Sequence, residues 1–138
     1  MTPRDHTFEQ LTDAMEARLV HTVHDADVDA FARLSGDLNP LHTDRTFALQ
    51  KGFPDRVVHG AFLAALVSRF VGMELPGRRS LLLSLKLDFS APTFPGDTVE
   101  ISGKVESTHP EMRAVSLKLR ITCKEQLRAR GSALVRVT

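Results

Sequence analysis

The sequence predicts an α+β fold in which one antiparallel sheet wraps around a central buried helix. The segment from Val57 to Glu74 is the most apolar part of the chain, and as a helix it would have almost no polar face. After residue 79 the apolar period changes from helical to two. A helix without a polar face and strands with one apolar face each bury the most surface when the sheet curls around the helix.

Length and composition suit one domain with one core. The chain has 138 residues, 42% of them hydrophobic, and a formal net charge of +1. We expect a single domain over residues 1–138, with residues 1–15 as a weakly patterned peripheral segment. The small net charge gives no indication of a nucleic-acid partner. The apolar segment is short for a membrane span and contains His59, Arg69 and Glu74, so we expect no membrane partner.

The two halves of the chain differ in charge. Residues 1–70 carry 7 Lys/Arg against 10 Asp/Glu, whereas residues 71–138 carry 11 against 7. Arg78 and Arg79, beside Pro76-Gly77, are the best local candidates for a patch that binds an anionic ligand such as a phosphorylated cofactor. A mixed solvated surface is the favoured interpretation of these charges.

The cysteine content, the N-terminal segment and the motifs limit which covalent links, cellular location and bound groups we expect. Cys123 is the single cysteine, so no disulfide can form within the chain, and its place in a strand pattern predicts a buried small hydrophobe. Met1 to Glu16 is polar and lacks the apolar run of a signal peptide, so we expect a cytoplasmic protein. Neither a paired metal-ligand motif nor a dinucleotide fingerprint is present, and we expect no metal and no cofactor.

Short elements are predicted before the apolar helix. Residues 7–10 form a capping box for a brief helical turn, and residues 16–24 fit a strand. Asp25 is expected to cap a helix that runs to about Leu34. Asp44 is expected to cap another short helix that ends near Gln50.

Four strands are predicted after the helix. Apolar and polar residues alternate over residues 81–89, 99–105, 115–123 and 127–137. Turn residues separate these runs, as at Pro95-Gly96-Asp97. Because the connections are short, we expect successive strands to pair as an antiparallel meander.

The hexapeptide Asp37-Leu38-Asn39-Pro40-Leu41-His42 has the densest polar chemistry. Gly36 ends the preceding helix and Asn39-Pro40 favours extended backbone, so we expect no regular helix here. A neutral histidine can take a proton from water near pH 7, and a carboxylate can orient or relay that proton. We therefore expect Asp37 and His42 to hold a water molecule, the alternative being an ordinary turn with a surface histidine.

Gly60 stands where the apolar helix should begin. Free backbone N–H groups at a helix start can polarise a carbonyl, and a glycine lets a ligand approach; close helix–sheet packing is the alternative. His59 is a candidate second acid–base group or a buried structural histidine. Ser68, the small polar residue of the helix, either bonds back to the helix backbone or lies near the site.

Three segments resemble the MaoC-like dehydratases, a family that includes the (R)-specific enoyl-CoA hydratases. Residues 31–42 resemble the family signature, with an Asp, an Asn-Pro and a His at this spacing after Ser-Gly. Residues 57–60 resemble the element at the start of the family's central helix. Residues 94–97 resemble the family's turn before a strand. The likeness covers roughly residues 16–137.

The resemblance implies a hot-dog fold, a homodimer and reversible syn hydration of a trans-2-enoyl thioester to an (R)-3-hydroxyacyl thioester. In that family, the residues that match Asp37 and His42 hold and activate the water. The residue that matches Asn39 supports the loop, and the N–H that matches Gly60 binds the thioester oxygen. The implied substrate is a thioester of CoA or of an acyl carrier protein.

Several alternatives remain open at this point. The same chemistry could run as dehydration on an acyl carrier protein, in fatty-acid or polyketide synthesis. The chain could instead be a non-catalytic hot-dog subunit that binds acyl groups, or a thioesterase that aims water at the carbonyl carbon. His59, Ser68 and Phe62 are candidate substrate-binding or supporting residues. Phe62, with Leu66, Phe70 and Met73, lines an acyl tunnel or simply packs the core.

Overall fold

The computed structural model describes residues 1–138 as one α+β unit with a single five-stranded sheet. In chain order its elements are a 3₁₀ turn (Phe8–Gln10), β1 (Glu16–Thr22), α1 (Asp25–Ser35), α2 (Pro40–Thr43), α3 (Arg45–Gln50), α4 (Gly60–Met73), β2 (Ser80–Phe89), β3 (Thr98–His109), β4 (Ala114–Cys123) and β5 (Gln126–Val137). The predicted fold class is confirmed. None of the helices has the length and hydropathy needed to span a membrane.

The strand order is β1-β3-β4-β5-β2, with every neighbouring pair antiparallel. The predicted meander is right for β3, β4 and β5 and wrong for β2. That strand pairs with β5, with Ser80 opposite Val137 and Phe89 opposite Ala129, and it forms one edge of the sheet. The alternating pattern indicates that one face of each strand is buried, but it carries no information about which strand lies beside it.

Helix α4 packs against the concave face of the sheet. Val67 and Phe70 are fully buried, and the core around them takes buried residues from β1, β3, β4 and β5, with Leu82, Leu85 and Leu87 of β2 packed against it while partly exposed. Gly103 of β3 makes the close approach possible, because a Cβ at that position would lie 2.5 Å from a ring carbon of Phe70. The opposite side of the helix, at Ala61, Ala65 and Ser68, is exposed. The helix is therefore central but not enclosed on all sides.

The capping of the N-terminal elements differs in detail from the expectation. His24, not Asp25, is the N-cap of α1, and the carboxylate of Asp27 accepts the His24 N–H at 3.0 Å. Strand β1 ends at Thr22, two residues early, because His24 already belongs to the helix start. The predicted cap of α3 is confirmed, since Asp44 accepts the Phe47 N–H at 3.2 Å.

Residues 4–6 are bonded to the C-terminal end of α4 and to the segment that follows it. The Arg4 N–H donates to the Met73 carbonyl at 2.9 Å, and the Arg4 carbonyl accepts the Arg78 N–H at 2.9 Å. Arg79 forms an ion pair with Asp5, and its hydrogen bond lowers the pKa of that carboxyl. Arg79 is thus committed to a neighbour in its own chain, which weakens the interpretation of this segment as an anion-binding patch.

Candidate functional site

The loop after α1 is shaped by short hydrogen bonds within the loop. Gly36 ends the helix in the left-handed conformation, with φ of 76°. The Asp37 N–H donates to Ser35 Oγ at 3.1 Å, and the Asn39 N–H donates to Asp37 Oδ1 at 3.2 Å. The second bond holds Asp37 Oδ1 against the backbone of Asn39 and leaves Asp37 Oδ2 directed toward His42.

The second half of the hexapeptide is helical, which corrects the expectation. Pro40 to Thr43 form the single turn α2, and Asn39 caps it by accepting the Leu41 N–H at 3.0 Å. Proline restricts the residue before it and is well suited to a first helical position. The conformational restriction that Pro40 imposes therefore affects Asn39 alone and does not prevent a helical turn that starts at Pro40. The turn places His42 on the side of the loop that faces α4.

The imidazole of His42 has a defined orientation. Its Nδ1 lies 2.6 Å from the Val57 carbonyl, and because a carbonyl only accepts, Nδ1 must carry the proton. Nε2 is then a free acceptor, 3.8 Å from Asp37 Oδ2. This distance is too long for a direct hydrogen bond between the neutral ring and the carboxylate. Two acceptors at this spacing suit a molecule that donates two protons, as water does.

His59 contacts both Asp37 and His42 from the interior of the protein. It is only 1% exposed, and its Nε2–H donates to the Asp37 carbonyl at 3.0 Å. Its ring stacks on that of His42, and Phe31 packs its ring against it with centroids 5.0 Å apart. The His59 Nδ1 is buried without a partner. Burial keeps this ring from reaching a ligand, which favours the interpretation of His59 as a buried structural histidine over that of a second acid–base group.

Arg56 is a part of the site that the sequence analysis missed. Its guanidinium donates to the His42 carbonyl at 3.2 Å, to Asp29 at 2.6 Å and to Asp25 at 2.8 Å. Burial alone would lower the Arg56 pKa, but the bonds to the two carboxylates outweigh it and hold the pKa above its usual value. Asp25 and Asp29 are four apart on one helix, a spacing that could have indicated a shared cation.

A cavity of about 380 Å³ opens at the start of α4. Its lining residues are His42, Val57, Val58, Gly60, Leu63, Phe89, Ser90, Ala91, Pro92 and Thr93. Gly60 is the first residue of α4, so its N–H has no acceptor within the helix. A Cβ on Gly60 would lie 3.1 Å from the Phe89 ring. The glycine therefore keeps open the space between the helix start and the opposite wall.

The wall of the cavity opposite Gly60, at residues 89–93, is held by a second buried arginine that the sequence analysis also missed. Arg128 of β5 donates to Asp97 at 2.7 Å and to the Pro92 carbonyl at 3.0 Å. The Thr93 carbonyl in turn accepts the Val58 N–H at 2.8 Å. On the other side, the Val57 N–H donates to the Leu41 carbonyl at 3.0 Å. The segment that leads into α4 is thus bonded to both walls of the cavity.

Two of the expected residues lie outside this cavity. Phe62 is buried in the core, where its ring packs against Phe31 and His21 with centroids 5.8 and 6.0 Å away. Ser68 is on the exposed side of α4 and makes no hydrogen bond back to the helix, contrary to one of its two interpretations. Neither residue contacts the Asp37–His42 pair.

The side chains of Asp37, His42 and His59 also form a possible ligand set for a metal ion, with their donor atoms all within 4.8 Å of one another. Zinc accepts such donors at about 2.0–2.2 Å, in the plane of each imidazole. The two rings are stacked, with planes 23° apart, so their in-plane lone pairs do not converge on one point. One nitrogen of each ring is also already bonded to a carbonyl. This arrangement does not fit a metal centre.

The chain is similar in sequence to a known protein family and to several characterised proteins. The family model described as "MaoC like domain" matches residues 7–124. The chain is 35% identical to the 3-hydroxybutyryl-CoA dehydratase of Methylorubrum extorquens over 94% of its length and 83% of the relative's. It is 33% identical to the (R)-specific enoyl-CoA hydratase of Rhodospirillum rubrum, over 96% of this chain and 92% of that one.

A solved structure of an (R)-hydratase from A. caviae superposes with a TM-score of 0.90 at 37% sequence identity, covering 94% of this chain and 99% of the other. By its sequence profile and its fold, this chain belongs to the family of MaoC-like domains.

Proposed function

We propose that this protein is a hydro-lyase that catalyses the reversible syn hydration of trans-2-enoyl-CoA to (R)-3-hydroxyacyl-CoA. One observation carries the proposal. The Asp37 carboxylate and the His42 Nε2 are both acceptors and lie 3.8 Å apart, beside a cavity that is also lined by Gly60, the first residue of α4. The relatives named as hydratases and dehydratases of CoA thioesters support the same reaction.

The Gly60 N–H is proposed to bind the thioester oxygen. When water adds to the β-carbon of a conjugated thioester, negative charge develops on the carbonyl oxygen. A fixed donor aimed at that oxygen stabilises the transition state more than the ground state, by about 3 kcal/mol for one donor in other enzymes. The helix dipole of α4 adds positive potential at the same point.

The Asp37–His42 pair is proposed to handle the protons. One proton of the bound water passes to the pair, the hydroxide oxygen forms its bond to the β-carbon, and the π electrons move toward the carbonyl oxygen. A proton from the pair then reaches the α-carbon as the carbonyl re-forms. Because oxygen and proton come from the same side of the substrate, the addition is syn. The two residues act as one acid–base unit.

The test is loss of the conjugated-thioester absorbance of crotonyl-CoA with purified protein, followed by chiral analysis of the product. We expect rapid loss and the (R) alcohol. Asp37→Asn and His42→Ala should each lower kcat/KM by about 100-fold or more. His109→Ala is a matched control, because that histidine bonds Ser116 on the β3–β4 hairpin and contacts nothing in the site.

Other outcomes would replace the proposal. Reaction with a carrier-protein thioester but not with CoA would indicate the acyl carrier protein dehydratase. Free thiol in place of alcohol would indicate a thioesterase. No reaction with any thioester would indicate a non-catalytic acyl-binding subunit. A cytoplasmic location stays a prediction.

A homodimer formed through the β2 edge is part of the proposal. The outer edge of β2 pairs with no strand, and Leu81 and Leu83 on it are about half-exposed. Exposed apolar edge strands favour pairing with another chain, and a second copy would extend the sheet. Light scattering of the protein eluted from a size-exclusion column should give twice the mass of one chain. In Leu83→Lys the measured mass should shift toward that of the monomer. A monomeric wild type would contradict this part.

A further inference from the structure

We infer that Arg56 is a positioning residue for His42, through a closed ring of contacts that fixes which imidazole nitrogen faces Asp37. The inference rests on the proposed function, since it concerns the orientation of the same acid–base pair. Arg56 does not line the cavity, so its effect on the reaction would be transmitted through His42.

The ring of contacts has three links. The Arg56 side chain donates to the His42 carbonyl at 3.2 Å. The His42 side chain donates from Nδ1 to the Val57 carbonyl at 2.6 Å. Val57 follows Arg56 in the chain, which closes the ring covalently. Both the backbone and the side chain of His42 are therefore held by two consecutive residues, and rotation of the imidazole would break one link.

Two carboxylates of α1 anchor this ring to the body of the protein. Arg56 Nη1 donates to Asp29 at 2.6 Å and Nη2 donates to Asp25 at 2.8 Å. Both terminal nitrogens of the guanidinium are therefore held. The Arg56 side chain is 10% exposed, whereas those of Asp25 and Asp29 are 73% and 50% exposed. Removal of Arg56 would leave both carboxylates hydrated, so the variant is expected to fold.

The chemical consequence concerns the basic nitrogen of His42. With Nδ1–H bonded to Val57, Nε2 has its lone pair directed toward the water site beside Asp37. A ring free to rotate would spend part of its time with a C–H group in that place or with the proton on Nε2. An error of about 1 Å in such a group can lower the rate by about 100-fold.

The kinetic test compares Arg56→Ala with Arg45→Ala. Arg45 is the matched control, because its own side chain is exposed and its pair with the partly buried Asp55 is long, at 3.5 Å. For Arg56→Ala we expect kcat to fall by about 100-fold with KM changed by less than about twofold. Millimolar guanidinium should restore part of kcat, and methylammonium should not, because only the planar fork reproduces the contacts. An unchanged kcat, or a loss confined to KM, would overturn the inference.

A second measurement does not depend on activity. Nitrogen-15 NMR of the six histidines separates rings protonated on Nδ1 from those protonated on Nε2, and His42→Ala identifies the His42 signals. We expect the Nδ1–H form for His42 in the wild type and a mixture of forms in Arg56→Ala. A single unchanged form in the variant would refute positioning by Arg56. This result stands even where the wild type hydrates no thioester, so it separates failure of this inference from failure of the proposed function.

Discussion

The imidazole of His59 lies flat against that of His42, with centroids 3.8 Å apart and planes 23° apart. The same His59 also bonds the backbone of Asp37. One buried side chain thus supports both members of the proposed acid–base pair, by stacking on one and by a hydrogen bond to the other. The two kinds of support can be separated by substitution.

His59→Phe should keep the stack and lose the hydrogen bond. We expect kcat/KM to fall by about tenfold, because the Asp37 carbonyl loses its donor while the His42 ring keeps its neighbour. The midpoint of urea unfolding should change little, since the variant also removes the buried Nδ1 that has no partner. His59→Ala should lose both supports and be less active than His59→Phe. Equal activity in the two variants would show that stacking contributes nothing.

Gly60→Ala should narrow the cavity against Phe89. The new methyl would meet the ring at 3.1 Å, so we expect lower kcat/KM on crotonyl-CoA and partial recovery in Gly60→Ala with Phe89→Leu. Gly72→Ala is the control in the same helix, because a Cβ there has no heavy atom within 4 Å. That control should keep its activity and gain about 0.5–1 kcal/mol in the free energy of unfolding. Full activity in Gly60→Ala would contradict the proposed ligand approach.

Gly103→Ala should destabilise the protein without acting on the site. Its Cβ would overlap the Phe70 ring at 2.5 Å, so α4 must shift or the ring must turn. We expect a loss of about 1–3 kcal/mol in the free energy of unfolding by denaturant titration. Phe70→Leu in the same chain should recover part of it. Stability equal to the wild type would show that the Phe70 ring does not pack directly on the backbone of Gly103.

Asp27 should contribute stability that depends on pH. Burial would raise its pKa, but the His24 N–H and the hydrogen bond with His21 outweigh this and hold the pKa below its usual value. A carboxyl with a lowered folded pKa stabilises the fold above its unfolded pKa, and the contribution is lost as the pH falls through the folded pKa. The loss should therefore appear below about pH 4.

Asp27→Asn tests this assignment by thermal unfolding at several pH values. We expect the variant to be less stable than the wild type by about 1 kcal/mol at pH 7, with the difference shrinking below about pH 4. Asp13→Asn, at a carboxylate with no hydrogen-bond partner, is the control and should follow the wild type. A constant difference at all pH values would assign the effect to side-chain shape instead of charge.

The sequence predicted most of the fold because its patterns are local. The largely apolar character of residues 60–73 and the period of two after residue 79 each report burial of one element. Neighbour relations in the sheet are not local. Residues 90–97 connect β2 to β3 along the chain, yet β2 pairs with β5, and its alternation would look the same beside β3.

The candidate site was predictable in part for the same reason. Asp37, Asn39 and His42 lie within six residues, so one segment reveals them. Arg56 meets its carboxylates across 27 and 31 positions; the spacing of Asp25 and Asp29 suggests a shared cation, but nothing in the sequence indicates that the cation is Arg56. Ser68 had two interpretations from the sequence, and its exposed place on α4 could not be read from the residue type alone.

The bonds of Val57 to Leu41 and of Val58 to Thr93 have a mechanical consequence. They join the histidine turn, the head of the central helix and the far side of the opening through main-chain groups alone. The spacing between the backbone of the His42 turn and the N–H of Gly60 is then set by peptide geometry, which side-chain substitutions alter least. Core replacements can therefore change how firmly the molecule holds together while this spacing stays as it is.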